Sequence, residues 1–479
     1  MKTPELLYLA ARQWPQNIAI YDAKGAMTYA ELAALVRDSS DFLTSSGIRP
    51  GMGIGVLGEN SRHFIAWVFA VMDAGAVVMP ISSQLKAGEL ADILHTARLH
   101  AVIEEAGAGL SAQLPVAAAK SLSGGDWQLC FQAGVDPQQP FTPHVPDAAL
   151  VRFTSGTTGV SKGVILSHTS IEERTAAANK ALQLGPGDVV VWILQMAYHF
   201  VVSIILYLRY GASIAICDNF IADDIIETAN RYGGAFLYAS PMHIRLLAND
   251  RSERPMPTLR RVVSTSTGLA LADSQAFTRR WGLPVAQAYG IIEIGLPIVN
   301  LAHAEDAPGA VGYALPDCHV AILDEQLREL PDGETGQLAI RGPGLFAAYL
   351  QPPQLRDEVL QQGWFLTGDL ASRRADGLIT IEGRKKSMIN VSGNKVFPEE
   401  VEAVLDTHPA VAMSRVKGSP HPFLGECVSA EVVLHPATAV DTESLIRYCR
   451  ERLSTYKVPQ RIAFVDNLPM TDSGKLRRE

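Results

Sequence analysis

Short apolar runs alternating with helical patterns place the strongest constraint on how this chain folds. Gly53–Leu57, Ala76–Pro80 and Ala101–Ile103 read as short buried strands, and Phe64–Asp73 reads as a helix between the first two. Such alternation predicts an α/β fold with parallel sheets, because parallel strands buried on both faces lose the polar half of their pattern. Thr28–Val36 reads as a further helix, with Thr28 as N-cap and Glu31 three residues on, the spacing that satisfies free amides at a helix start.

With 479 residues and 47% hydrophobic content, the chain exceeds what one compact core organises, so two or more domains are expected. A formal net charge of −9 argues against a general affinity for nucleic acid. Cys130, Cys217, Cys318, Cys427 and Cys449 are odd in number and widely spaced, without a CxxC pair, which fits a reducing cytoplasm rather than zinc or redox chemistry. Glu5, Arg12 and Gln13 interrupt any apolar core at the start, so a signal peptide is not expected.

Val189–Leu208 carries no formal charge and has about the length needed to cross a bilayer. Gln195, His199 and Ser203 interrupt it, and turn signals flank it at Gly185–Asp188 and Gly211. A buried strand, a turn and a buried helix are predicted there, with no transmembrane segment. Residues 105–146 dissolve into Ala, Gly, Ser, Gln and Pro and read as a surface connection, while Asp441 reads as the cap of a helix presenting Leu445, Ile446, Cys449 and Leu453 on one face.

Leu150–Phe153 reads as a strand running into Thr154, Ser155, Gly156, Thr157, Thr158, Gly159, Val160, Ser161, Lys162 and Gly163. Glycines permit close backbone approach, and hydroxyls, amides and one ammonium can surround a polyphosphate. The spacing is not that of a Walker A loop. Composition alone equally fits a flexible linker.

This segment resembles the signature loop of the superfamily that includes acyl-CoA synthetases, nonribosomal peptide synthetase adenylation domains and firefly-type luciferases. The resemblance begins at Thr28–Leu32 and continues through further segments in the family's order. It implies that Thr154, Ser155, Gly156, Thr157, Thr158 and Lys162 hold the β and γ phosphates of ATP; Ser161 stands where the family usually has proline. Ser266–Leu271, with Thr267, Gly268 and Leu269, resembles the adenine-lining turn, Ala270 replacing a proline. Ala288–Glu293 resembles the segment in which Tyr289 and Gly290 meet adenine and Glu293 binds Mg2+; Ile292 replaces the usual threonine, with the loss of one hydroxyl toward the α-phosphate.

Thr367-Gly368-Asp369 resembles the motif whose aspartate accepts the ribose hydroxyls, and carboxylate recognition of a diol is sound chemistry. Gly383–Ile389 and Gly393–Glu402 resemble the hinge and the start of a small domain, with Arg384 on the ribose and Lys386 as pivot. Pro469–Lys475 resembles the terminal motif whose lysine, Lys475, reaches the reacting carboxylate and α-phosphate. The expected organisation is therefore a large N-terminal AMP-binding domain of helix-flanked sheets, residues 1–383, and a small, mobile α+β domain, residues 384–479. Taken singly, Thr-Gly-Asp is more often an ordinary turn and a basic run a solvated surface.

The resemblance implies ATP-dependent conversion of a carboxylic acid into an acyl-AMP, release of pyrophosphate, and acyl transfer to CoA. A separate acyl carrier protein bearing phosphopantetheine is the alternative acceptor, and a non-catalytic binding protein that kept the fold is a second alternative. His199 and Phe200 match the aromatic or histidine gate of the acyl pocket, and His199, Phe200, Val202, Ser203, Ser240, Thr267, Gly290, Ile291, Gly295 and Leu296 are its candidate lining. Amino-acid-activating relatives carry an aspartate after the phenylalanine, whereas here Phe200 is followed by Val201, Val202 and Ser203. An ammonium buried there would lack a counter-charge, so a fatty or aromatic acid is expected.

Overall fold

The computed structural model describes residues 1–105, 116–121, 126–153, 162–392, 394–436, 438–470 and 476. Its centre is the Arg62–Asp73 helix, in which every residue from Phe64 to Met72 is buried. A helix apolar on all sides must be covered on all sides. It packs on the Gly53–Gly58 and Val77–Ser82 strands of one sheet and on the Tyr29–Ser45 helix. On another side, Phe64 and Phe69 meet the Phe200 ring at centroid distances of 6.3 and 6.0 Å. Each large side chain buried there contributes about 1.5–3 kcal/mol.

Two nine-stranded sheets form the large part of the molecule. The first runs from Gly25–Thr28 and Ile18–Asp22 through the parallel strands Ser213–Ile216, Val189–Trp192, Phe236–Ala239, Arg261–Ser264 and Val285–Ile291, and ends in antiparallel Gly295–Val299 and Tyr313–Ala314. The second has Ala101–Glu105, Gly53–Gly58, Val77–Ser82 and Ala148–Phe153 in parallel, flanked by antiparallel strands. A four-stranded antiparallel sheet follows, His319–Leu323, Thr335–Arg341, Phe365–Arg373 and Ile379–Arg384. The last sheet is built on the long Val411–His421 and Gly425–Leu434 hairpin and has its own core, including Val396, Val401, Leu405, Val432, Leu445 and Cys449.

The Thr28 cap is realised as the spacing predicts: its Oγ1 accepts the Glu31 amide at 3.2 Å, and Glu31 accepts the Thr28 amide at 2.7 Å, starting the Tyr29–Ser45 helix. Asp441 likewise accepts the Ser444 amide at 2.7 Å. Within Val189–Leu208, a buried strand, Val189–Trp192, is followed by a π-helical turn, Phe200–Ile205, and a short helix. No helix among the described residues is long and apolar enough to cross a membrane.

One region departs from the reading of residues 105–146 as a plain connection. Val116–Ser121 and Trp127–Gln132 are antiparallel strands on the sheet edge. Trp127 is the anchor: it is buried, its ring meets Trp67 at a tilt with centroids 6.4 Å apart, and it fills the space over Gly58, where a Cβ would stand 2.4 Å from the indole. Val116–Ser121 has only exposed or half-exposed positions, so it carries no apolar alternation for a pattern to reveal.

Replacing Thr28 by Ala removes an acceptor that the helix start needs, and stability should fall by about 1 kcal/mol. Thr28→Ser should retain most of it; urea denaturation followed by circular dichroism that gave the same midpoint for wild type and Thr28→Ala would contradict the cap's role.

Candidate active site

Parallel strands of open α/β sheets offer ligand sites beyond their carboxyl ends. Here the ends of Phe236–Ala239, Arg261–Ser264 and Val285–Ile291 open toward the Ala148–Phe153 strand of the second sheet, and a cavity of about 140 Å³ lies between them. Its walls include Leu150, Arg152, Tyr198, His199, Tyr238 and Leu296. Behind them Trp192 and Tyr238 stack at 6.3 Å, and His199 sets its ring edge-on to both, at 6.5 and 6.4 Å.

The segment Tyr289–Glu293 serves three places at once. The Tyr289 hydroxyl donates to Asp369 Oδ2 at 2.6 Å, and Arg384 Nε meets the other oxygen at 3.1 Å. The Thr367 hydroxyl accepts the Asp369 amide at 3.1 Å and donates to the Leu338 carbonyl at 2.9 Å, fixing the aspartate's backbone. Burial, and then the facing Asp369, push the Tyr289 phenol well above its ordinary range, so it stays a proton donor. Gly290, Ile291 and Ile292 line the cavity. Glu293 then turns toward Tyr349, whose hydroxyl donates to its Oε1 at 3.2 Å, while the Lys162 ammonium lies 4.5 Å from the Tyr349 ring centroid.

Two backbone devices hold this segment. A Cβ at Gly290 would stand 2.6 Å from the Gly295 carbonyl oxygen, so the turn closes only with glycine. Arg174, on the His168–Leu182 helix and almost wholly buried, donates from Nη1 to the Ile292 carbonyl at 2.8 Å, from Nη2 to the Glu293 carbonyl at 3.3 Å, and from Nε to the Gly344 carbonyl at 2.8 Å. Gly344 has φ +73°, and a Cβ there would meet Arg174 backbone at 2.6 Å. Burial pulls the Arg174 guanidinium down to about 9, against an opposing pull from Glu293, so it remains charged at neutral pH.

His199, Phe200, Val202, Gly290, Ile291, Gly295 and Leu296 all line the cavity. Phe200 also belongs to the core, against Phe64 and Phe69. Ser203, Ser240 and Thr267 do not line it: Ser203 is fully buried, Ser240 faces His243 Nδ1 at 2.7 Å at a helix start, and Thr267 is exposed. The Leu269 amide donates to Gln287 Oε1 at 2.9 Å, which ties the Ser266–Leu269 turn to the neighbouring strand, with Gly268 at its exposed tip. Lys386 lies on an exposed turn after the Ile379–Arg384 strand. Thr154, Ser155, Gly156, Thr157, Thr158 and Lys475 lie outside the described residues.

Sequence reasoning passed over Arg152, Arg174, Tyr198, Tyr238 and Tyr349. For Arg152 a signal existed, since it is the one charge in an otherwise apolar strand, Ala148–Phe153. Among the described residues no group of three His, Cys, Asp or Glu side chains could hold a metal ion. A hard cation at Glu293 would therefore take its remaining ligands from phosphate oxygens and water, as Mg2+ characteristically does.

Residues 7–350 match the family described as AMP-binding enzyme, and residues 400–475 match the AMP-binding enzyme C-terminal domain. The sulfoacetate–CoA ligase of Cupriavidus necator is 29% identical, over 99% of this chain and 96% of its own. The feruloyl-CoA synthase of an Amycolatopsis species is 28% identical, over 97% and 95%. The crystal structure of ATP-bound MatB from Rhodopseudomonas palustris superposes with a TM-score of 0.84 at 25% identity, over 100% of this chain and 98% of that one. The chain thus belongs to the AMP-binding enzymes of the adenylate-forming superfamily, and it is an acid–thiol ligase that activates a carboxylic acid as its adenylate before acyl transfer.

Proposed function

We propose that this enzyme joins a compact aromatic or short-chain carboxylic acid to the thiol of CoA, using ATP, by way of an acyl-AMP. The observation that carries this reading is the run of five residues from Tyr289 to Glu293, which reaches the Asp369 group, the cavity and the Tyr349–Glu293 pair in turn. Five residues extend no further than about 18 Å. A nucleotide, an acid and a cation-binding carboxylate are thereby held within one small cleft.

The chemistry follows from what a carboxylate lacks. Direct thiol attack would have to expel oxide from an already anionic group; a mixed anhydride with AMP provides a good leaving group. The acid's oxygen attacks the α-phosphorus in line and pyrophosphate departs; the thiol sulfur then attacks the acyl carbon, loses its proton and releases AMP. The enzyme contributes alignment and charge stabilisation. Asp369 accepts the ribose hydroxyls, with Tyr289 and Arg384 orienting its carboxylate, and Tyr289, Gly290 and the Thr267–Leu269 turn border the adenine. Thr154, Ser155, Gly156, Thr157, Thr158 and Lys162 cradle the outer phosphates, and Lys475 approaches the reacting carboxylate. Glu293 would hold Mg2+, which neutralises charge on the phosphate oxygens when bound.

The cavity bears on the acid. About 140 Å³ is close to the roughly 150 Å³ that accommodates a benzene ring, which favours one ring or a few carbons over a long fatty chain. No Asp or Glu occurs among its described lining residues, and a substrate ammonium would be buried without a counter-charge. We place the small domain at residues 384–479, turning about Lys386 between half-reactions so that Lys475 leaves before the thiol arrives. CoA is favoured as acceptor by the relatives that are CoA ligases; a carrier-protein phosphopantetheine is the competing acceptor, and a reducing cytoplasm suits the five unpaired cysteines.

ATP–pyrophosphate exchange across a panel of aromatic, short-chain, long-chain and amino acids should be strongest with the first two classes. Exchange confined to amino acids or long fatty acids would overturn the assignment of the acid, and thioester formation with a carrier protein but not CoA would overturn the acceptor. Lys475→Ala should abolish exchange yet largely spare thioester formation from supplied acyl-AMP; equal losses in both assays would refute the division of labour. Asp369→Asn should raise the KM for ATP by at least tenfold, because a charge-assisted hydrogen bond to the ribose is worth about 1.5–3 kcal/mol, and an unchanged KM would remove Asp369 from the nucleotide site.

A further inference from the structure

Arg152 is a cation built into the wall of a cavity lined by both apolar and polar side chains. It lies on the face of the Ala148–Phe153 strand that carries Leu150, and both residues line the cavity with Pro80. Its Nη1 donates to the Tyr198 carbonyl, while Nε is closed off from solvent with no partner among the described residues. Burial pulls the guanidinium down to about 10, against opposing pulls from Glu293 and then the Tyr198 phenol.

Glu293 does not pair with it directly. No ion pair joins Arg152 to a carboxylate among the described residues, and Glu293 takes its hydrogen bond from Tyr349 instead. Arg174 adds a second positive charge to the same wall, but its nitrogens are committed to the carbonyls of Ile292, Glu293 and Gly344. Glu293 acts on both guanidinium groups, while Glu173 acts on Arg174 and is itself bonded to the Gly344 amide at 2.8 Å, so Arg152 shares its one facing carboxylate, and a cation held by Glu293 would tip the balance further. An uncompensated buried charge is costly, and a guanidinium fork matches a planar or tetrahedral oxyanion with two parallel N–H donors.

We propose that Arg152 is a specificity residue that receives a second anionic group on the substrate, a carboxylate or sulfonate at the end of the acid remote from the reacting carboxyl. This rests on the reading of the cavity as the acyl pocket. The preferred acid is then short or aromatic and doubly anionic: one oxyanion becomes the anhydride, and the other stays ionised against Arg152. A plain hydrocarbon acid of the same size would leave Arg152 without its counter-charge and should be the poorer substrate.

The test compares matched acids that differ only in the second anion: propionate against malonate and 3-sulfopropionate, and benzoate against isophthalate, by pyrophosphate exchange with the full-length protein. In at least one pair, wild type should favour the doubly anionic acid by tenfold or more in kcat/KM. Arg152→Met should collapse that ratio by at least thirtyfold, chiefly through KM, with Arg152→Lys intermediate. A wild-type preference for the plain acid in every pair would overturn the proposal, as would an equal loss on both members in Arg152→Met, which would assign the arginine to the reacting carboxylate or the nucleotide. The ratio in wild type and in Arg152→Lys decides the matter should Arg152→Met fail to fold. Exchange with none of these acids but with others would sink the inference and leave acid activation intact, whereas no exchange with any acid would sink both.

Discussion

The grip of Arg174 on three backbone carbonyls is the constraint from which the rest of the site follows. One side chain, rooted in the His168–Leu182 helix, fixes the turn at Ile292 and Glu293 against the loop at Gly344. Buried carbonyls need partners, and a guanidinium can satisfy several at once from a rigid plane. Because the turn cannot shift, Tyr289 is held beside Asp369 on one side and Glu293 beside Tyr349 on the other. The glycines at 290 and 344 belong to the same device, since each admits a backbone contact that any Cβ would block.

Electrostatic arrangement then separates the cleft into regions of different character. Asp369, itself buried, sits between a phenol and a half-exposed guanidinium, two donors that fix the direction of its carboxylate. Deeper in, aromatic rings and aliphatic side chains exclude water, so charges there interact more strongly than they would at the surface. Adenylation draws on this contrast: the nucleotide is polar and anionic, whereas the acyl part proposed here is compact, with any second charge confined to the Arg152 wall. The aromatic trio of Trp192, His199 and Tyr238 braces the apolar side, so its shape is set by ring packing.

Much of this was legible in the sequence because it is local. The Thr28–Glu31 spacing specifies a helix start that the hydrogen bonds reproduce, and the apolar runs at Gly53, Ala76 and Ala101 become parallel strands because strands buried on both faces have no polar alternation. What stayed hidden depends on tertiary contact. The edge strand Val116–Ser121 is held by its neighbour and not by its own pattern, whereas the apolar run Trp127, Leu129, Cys130 and Phe131 could have marked the neighbouring strand. Ser203, Ser240 and Thr267 sit near cavity residues in sequence yet do not line the cavity: Ser203 is buried within the π-helical turn, Ser240 is bonded to His243 at a helix start, and Thr267 is exposed. Arg174 left no trace at all, being one charge on an amphipathic helix, whereas Arg152 interrupted an apolar strand and could have been weighed.

In the mechanism proposed, adenosine and acyl group share one continuous cleft with the Tyr289–Glu293 segment as its spine. A crystal structure with a non-hydrolysable acyl-sulfamoyl adenosine would test it most directly. The ribose hydroxyls should lie on Asp369 and the acyl moiety in the cavity beside Tyr238 and Arg152. Adenosine bound away from Asp369, or an acyl group directed out of that cavity, would contradict it.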